Sequence, residues 1–302
     1  MLREASNAAT LDFLLERFGA KPFREDESGV KPAMLRRLEK AGYINHEGEL
    51  YSISPELVAM NRDIYRIVRM ERTKETIRRW LKIWIFLALC GFALLDIATF
   101  SNTTAAAKWL KFSVIAACFV LSLLIEDRMH DLRDRLTIQV AAGLTLVADF
   151  VIGILDSFMI GLGLFVLVHA IYSFRHLRGF KEPTKEAILA VCIFALAAGI
   201  LYFAAPITKA AGMFIPSLIY GVFLSASLYA GTGVVLRSFF PQEDRREIFA
   251  GLICFFIADI LVAMNAGFTG EAKSWTGVFT WFFYLPAQYF LCMSGYRRNP
   301  VV

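Results

Sequence analysis

Residues 136–154 read LTIQVAAGLTLVADFVIGI, a run of 19 residues with a single charged side chain, Asp149. A helix needs roughly 20 apolar residues to cross a hydrocarbon core of about 30 Å, so this run is long enough to span a membrane. Similar runs recur along the chain, which is 57% hydrophobic with a mean hydropathy of +0.53. This composition excludes a soluble two-domain enzyme, a secreted disulfide scaffold and a disordered tail protein.

The apolar runs predict an all-α polytopic membrane protein with eight transmembrane helices. The predicted spans lie near 81–100, 109–125, 136–154, 158–174, 187–205, 212–235, 248–268 and 275–295. Very short connections, such as residues 155–157, make neighbouring helices antiparallel.

Basic residues alternate between the two sides of these spans. After Asn61, 20 Lys and Arg residues precede the first span or fall in the even-numbered connections and the tail. The opposite side has four: Lys108, Lys111, Lys209 and Lys273. Because basic loops remain in the cytoplasm, we expect both termini to be cytoplasmic and the number of spans to be even. We expect the protein in a bacterial inner (cell) membrane.

The amino-terminal region has a different character, since residues 1–80 carry 28 of the 59 charged side chains. Two helical segments followed by a hairpin-like stretch around Gly48 predict a small α+β domain over residues 1–58 that resembles a winged-helix module. Ten acidic against eight basic residues up to position 61 argue against DNA binding and favour an accessory or dimerisation role. Residues 59–80 predict a basic amphipathic helix that connects this domain to a transmembrane domain over residues 81–297.

Three aspartates lie inside the predicted spans, where burying a charge is costly. Asp149 and Asp259 fall at depths of about 20 and 17 Å from the cytoplasmic side, which makes them nearly level. Two carboxyls at one depth cannot both ionise cheaply, so one would be a proton donor beside a potential base. The alternative is that each only bonds neighbouring helices together. Asp96, near the other interface, is expected to be a solvated helix end.

Further polar side chains share helix faces with apolar ones. His169 and Tyr172 lie on one face of the fourth span, Tyr220 lies on the sixth, and Tyr284 and Gln288 lie on the eighth. Buried tyrosine and glutamine need hydrogen-bond partners. The five cysteines lie in apolar runs without CxxC spacing, so we expect no disulfide, no metal site and no cofactor.

Four of these segments carry motifs that match a known family in order. They are Phe158, Gly161, Leu162, His169 and Tyr172; Gly251, Asp259, Ala263 and Asn265; Tyr284, Ala287, Gln288 and Gly295; and Ala148 with Asp149. Residues 81–297 thereby resemble the YhhN-like lysoplasmalogenase family of membrane proteins. Two positions depart from its pattern, because Ala148 replaces an expected Gly and Ala258 an expected Ser.

The resemblance implies a hydrolase that cleaves the vinyl ether bond of lysoplasmalogens and releases a fatty aldehyde and a glycerophospho-alcohol. Asp149 and Asp259 would be its catalysts. The substrate-binding residues would be His169, Tyr172, Tyr220, Asn265, Tyr284 and Gln288. The expected partners are a lysophospholipid substrate and membrane lipids, without nucleic acid, and a homodimer stays open. The alternatives are a lipid-sensing membrane-bound regulator and a proton-coupled transporter, although internal repeats typical of transporters are not evident.

Overall fold

The structure, a computed structural model, describes residues 2–99, 105–124, 131–179, 182–210 and 212–295. It divides into two compact units, Met1–Ile77 and Arg78–Val302. Four basic residues of the orientation count lie outside the described residues: Arg128, Lys181, Arg297 and Arg298.

The first unit contains three helices and a small sheet before a long helix begins. Its elements are α1 (Leu2–Phe18), β1 (Phe23–Arg24), α2 (Glu25–Ser28), α3 (Pro32–Lys40), β2 (Ile44–Glu47) and β3 (Leu50–Ile53). The strands form an antiparallel sheet in the order β1–β3–β2, and Gly48 turns the β2–β3 hairpin with a positive φ of 66°. Leu14, Phe23, Leu35 and Leu38 form its buried core. Its likeness to winged-helix modules stays a prediction.

The remaining elements are long helices. They are α4 (Pro55–Thr99), α5 (Ala105–Leu124), α6 (Leu132–Gly153), α7 (Phe158–His176), α8 (Pro183–Ala210), α9 (Phe214–Gly233), α10 (Gln242–Gly267) and α11 (Gly270–Met293). Among the described residues, seven helical segments are long and apolar enough to cross a membrane: Arg72–Ala98 of α4, and α5 to α10. The chain is therefore a multi-pass membrane protein built almost wholly from helices.

The predicted eighth span corresponds to α11, which is not among these seven. It is long enough at 24 residues, but Tyr284, Pro286 and Gln288 interrupt its apolar run. The count of eight spans and the cytoplasmic placement of the termini therefore stay predictions. The first span begins earlier than predicted because α4 continues without a break through residues 59–80. The role of that stretch as an amphipathic connector stays a prediction as well.

Close helix contacts position the elements around the site. A Cβ on Gly161 would lie 2.1 Å from a side-chain carbon of Ile152, and one on Gly251 would lie 2.8 Å from Leu291. These glycines let α7 approach α6 and α10 approach α11. Helix α8 is the least covered of the seven apolar segments, with 6% of its most apolar stretch buried. Most of its surface therefore faces outward.

Asp96 is not a solvated helix end, and that expectation is wrong. Its side chain is fully buried and forms an ion pair with Lys111 of α5, which is also buried. The Lys111 Nζ atom lies 5.5 Å from the ring centroid of Phe92 and 5.1 Å from that of Trp281. The pair forms because α4 and α5 meet in space, which the spacing of residues 96 and 111 along the chain does not reveal.

Candidate active site

Asp149 and Asp259 line one cavity of about 300 Å³, which we call the aspartate cavity. Asp149 comes from α6 and Asp259 from α10, and both side chains are partly exposed, although the bundle around them is tightly packed. The other wall residues come mainly from the six helices α6 to α11 and are mostly apolar, including Leu162, Ile200 and Phe256. The structure thus brings together two carboxyls 110 positions apart in the chain.

Each carboxyl accepts a hydrogen bond from a tyrosine on another helix. The hydroxyl of Tyr284 on α11 donates to Asp149 Oδ2 at 2.7 Å. The hydroxyl of Tyr220 on α9 donates to Asp259 Oδ2 at 2.9 Å. Both tyrosines also line the aspartate cavity. Because hydrogen bonds to an ionised group are strong, these hydroxyls orient the carboxyls and can stabilise negative charge on them.

His169 of α7 adds a third group beside Asp259. Its Nε2 atom lies 3.0 Å from the Tyr220 hydroxyl oxygen and 3.7 Å from Asp259 Oδ2. Since that hydroxyl donates its hydrogen to Asp259, it can only accept from His169, which requires a hydrogen on Nε2. Histidine, tyrosine and aspartate thus form a relay of donors that ends on the Asp259 carboxylate.

Aromatic rings close the space behind these groups. The ring of Phe255 lies 4.7 Å from His169, 5.4 Å from Tyr284 and 6.0 Å from Phe165, measured between centroids. Phe165 and Tyr284 meet at 6.2 Å and 83°, an edge-to-face contact. The packing holds His169 and Tyr284 in fixed positions and separates their polar atoms from the lipid around the bundle.

These groups lie within residues 106–295, which match the YhhN family. The chain belongs to the YhhN family. The match confirms the resemblance read from the four motifs, and it includes both aspartates and all the substrate-binding residues predicted from the sequence. Comparisons with curated proteins and with solved structures found no match.

Four predicted residues of the YhhN region do not line the aspartate cavity: His169, Tyr172, Asn265 and Gln288. Tyr172 and Gln288 are buried, one helical turn beyond His169 and Tyr284 respectively. The Asn265 side chain donates to the backbone oxygen of Lys273 at 2.6 Å and to Thr276 Oγ1 at 2.8 Å. Asn265 therefore ties α10 to α11, and its part in substrate binding stays a prediction.

Some wall residues of the cavity went unnoticed in the sequence. Helix α8 supplies Ala197, Ile200, Leu201 and Ala204, which are all apolar, and Thr208 is its polar residue in the wall. Trp281 of α11 lies one turn before Tyr284 and packs on it at 5.6 Å between centroids. The spacing of Trp281 and Tyr284, which places both on one helix face, could have identified Trp281 as a wall residue. The composition of α8 does not distinguish a cavity wall from a lipid-facing surface.

The departures at Ala148 and Ala258 leave the carboxyls with hydrogen bonds from more distant positions. Both alanines are fully buried beside their aspartates. The donors to Asp149 and Asp259 come from α11 and α9 instead. Within the described residues of the YhhN region, no group of three or more His, Cys, Asp or Glu side chains could hold a metal ion.

Proposed function

We propose that this protein is a membrane-embedded hydrolase that cleaves the vinyl ether bond of lysoplasmalogens. The substrate would be a lysoplasmenyl-ethanolamine or lysoplasmenyl-choline, and the products a fatty aldehyde and a glycerophospho-alcohol. One observation carries the proposal: two carboxyls from different helices line a single apolar cavity, and each is held by a tyrosine hydroxyl. Membership of the YhhN family supports the same reaction.

The walls of the aspartate cavity fit the chain of such a lipid. Leu162, Ile200, Leu201 and Phe256 present carbon atoms on several sides. Burial of an alkenyl chain against such a surface is favourable by about 25 cal/mol per Å² of apolar area. Helix α8 faces outward over most of its surface, so the chain can reach the cavity from the surrounding bilayer.

Asp149 is the better proton donor of the pair. Asp149 accepts a hydrogen bond from the Tyr284 hydroxyl, whereas Asp259 accepts one from Tyr220 and also faces His169 Nε2. More donors around Asp259 favour negative charge there over negative charge on Asp149. The two environments therefore separate the roles, with Asp149 as the general acid and Asp259 as the general base.

The reaction then proceeds in balanced steps. Asp149 transfers its proton to the vinyl carbon distal to the ether oxygen, which leaves an oxocarbenium ion that the Asp259 carboxylate stabilises. Water adds to the cationic carbon while Asp259 takes its proton, which gives a hemiacetal. The hemiacetal breaks its bond to the glycerol oxygen, which receives the proton from Asp259, and the remaining hydroxyl returns a proton to Asp149. One water is consumed and both carboxyls regain their starting states.

The test is aldehyde release from a defined lysoplasmalogen by the purified protein in detergent, for wild type, Asp149→Asn and Asp259→Asn. General acid or base catalysis contributes typically 10²- to 10⁴-fold, so each variant should lose about that much turnover. The matched control is Asp156→Asn, because the Asp156 side chain is 82% exposed in the connection between α6 and α7. It should release aldehyde at the wild-type rate.

Three results would contradict the proposal. Folded wild-type protein that releases no aldehyde would exclude lysoplasmalogens as substrates and favour a sensor or transporter. Full activity in both Asn variants would exclude the two aspartates as the acid and base. A lysoplasmalogen that binds and is carried across vesicles without cleavage would favour transport.

A further inference from the structure

A second layer of polar groups lies one helical turn away from the residues of the candidate active site. Thr145 Oγ1, Tyr172 Oη and Gln288 Nε2 are buried, and within the described residues these atoms have no hydrogen-bond partner. Their three side chains have 1%, 0% and 1% of their surface exposed. Unpartnered buried polar atoms are rare because each costs about 1–3 kcal/mol.

These three groups share one position relative to the site. Thr145 is one turn from Asp149 on α6, Tyr172 is one turn from His169 on α7, and Gln288 is one turn from Tyr284 on α11. Offsets of three or four residues keep each group on the same helix face as its site residue, about 4.5–6 Å along the axis.

All three offsets point toward the same end of the bundle. Arg175 on α7 bonds both Asp134 at the start of α6, at 2.8 Å, and Ser294 just after α11, at 2.7 Å. The start of α6 and the ends of α7 and α11 therefore meet, which we call the Asp134 end. Moving from Asp149 to Thr145, from His169 to Tyr172, and from Tyr284 to Gln288 leads in each case toward that end.

A third layer continues the polar groups to the Asp134 end. The rings of Tyr172 and His176 stack at 5.7 Å between centroids, and His176 Nε2 lies 3.0 Å from Arg175 Nη1. His176 Nδ1 is another buried atom without a partner in the described part of the chain, as is His169 Nδ1 beside the cavity. Among the described residues, polar atoms thus recur at successive helical turns from the carboxyls to the Asp134 end.

We propose that this series of groups, the polar column, holds ordered water and supplies the water consumed in the reaction. Buried water typically bonds otherwise unpartnered polar groups, and Thr145, Tyr172, Gln288 and the two histidine Nδ1 atoms offer suitable donors and acceptors. The inference rests on the proposed hydrolysis in one respect. A lipid chain that fills the apolar aspartate cavity blocks water from that side, so a separate route is needed.

Radiolytic hydroxyl-radical footprinting tests the column without reference to activity. Radicals formed from bound water modify the side chains that contact it. In the detergent-solubilised full chain, Tyr172 should be modified at several times the rate of Phe23, after normalisation for the intrinsic reactivity of each residue type. Phe23 is the matched control because it is equally buried but lies in the apolar core of the first unit. Equal, near-background modification of the two residues would overturn the proposal.

Removing the polar atoms at constant shape gives a second test. Thr145→Val and Gln288→Leu should lower kcat by about 10-fold and leave KM within about 2-fold, because water supply changes without loss of lipid contacts. The control is Ser122→Ala, a buried hydroxyl that bonds within its own helix to the Phe119 oxygen at 2.6 Å. It should keep the wild-type kcat.

The melting temperature of the same variants shows whether the polar atoms of Thr145 and Gln288 bind water. If the atoms are dry, Thr145→Val and Gln288→Leu remove a penalty, and the melting temperature rises. If the atoms bind water, it falls or stays unchanged. Raised melting temperatures of these variants together with a wild-type kcat would overturn the proposal that the polar column holds water. Inactivity of the wild type toward lysoplasmalogen would refute the proposed function alone, and footprinting and melting would still decide whether the column is hydrated.

Discussion

The carboxyl of Asp96 and the two carboxyls at the aspartate cavity meet the same electrostatic problem in different ways. Asp96 is fully buried and ion-paired with Lys111, which also lies over the rings of Phe92 and Trp281. Asp149 and Asp259 instead receive tyrosine hydroxyls and face a cavity. A fixed cation neutralises the first carboxyl permanently, whereas hydroxyl donors leave the other two free to exchange protons.

This difference separates structural from chemical carboxyls. An ion-paired carboxyl without access to a cavity has no substrate to protonate, and its loss exposes an uncompensated charge. A carboxyl held by neutral donors beside a cavity can gain or lose a proton during a reaction. The partner of a buried aspartate is thus more informative than its presence in a span.

The largest expected effect on stability comes from breaking the buried ion pair. Lys111→Met leaves Asp96 buried without a cation, which should cost about 3–5 kcal/mol of unfolding free energy. The measurement is thermal unfolding in detergent. In the double variant Asp96→Leu/Lys111→Met, apolar packing replaces the pair, so stability should return close to that of wild type. A single variant as stable as wild type would show that the pair does not neutralise Asp96.

A smaller effect is expected from removing a hydroxyl donor at the cavity. Tyr220→Phe deletes the hydrogen bond to Asp259 and interrupts the relay from His169. Hydrogen bonds to charged groups contribute about 1.5–3 kcal/mol, so kcat for aldehyde release should fall roughly 10- to 100-fold. Tyr202→Phe is the control because Tyr202 is 76% exposed on α8. Equal rates of aldehyde release in the two variants would show that the Tyr220 hydroxyl does not contribute to the reaction.

The smallest effect is expected where an ion pair is exposed. Lys108 Nζ lies 3.7 Å from Asp156 Oδ1, with the side chains 36% and 82% exposed. Exposed pairs contribute about 0–1 kcal/mol, so Lys108→Met should change the melting temperature far less than Lys111→Met. A loss comparable to that of Lys111→Met would mean that exposure does not separate the two pairs.

Much of the helical architecture was predictable because a hydrocarbon core imposes length and composition on every span. The runs near 109–125, 136–154 and 158–174 correspond closely to α5, α6 and α7. The sequence predicted a helix over residues 59–80 and a span after it, but it did not show that the two form the single helix α4. The polar side chains of α11 explain why its composition does not identify it as a span.

The sequence identified residues of the site more readily than the contacts between them. Asp149 and Asp259 stood out because ionisable groups are rare inside spans. The pairing of Tyr284 with Asp149, and of Tyr220 with Asp259, depends on helix rotation and order in the bundle. Arg175 counted in the sequence only as a basic residue at a helix end, yet it is buried against Asp134.

The sequence by itself determined that this chain enters a membrane, which segments are apolar enough to do so, and which family it joins. These properties follow from composition and local order, because burying backbone and charge in hydrocarbon is costly along any helix. Only the tertiary structure decided which buried carboxyl meets a lysine and which meet tyrosines at a cavity. Those pairings join residues far apart in the chain, and they arise from packed helix faces rather than from spacing along one helix.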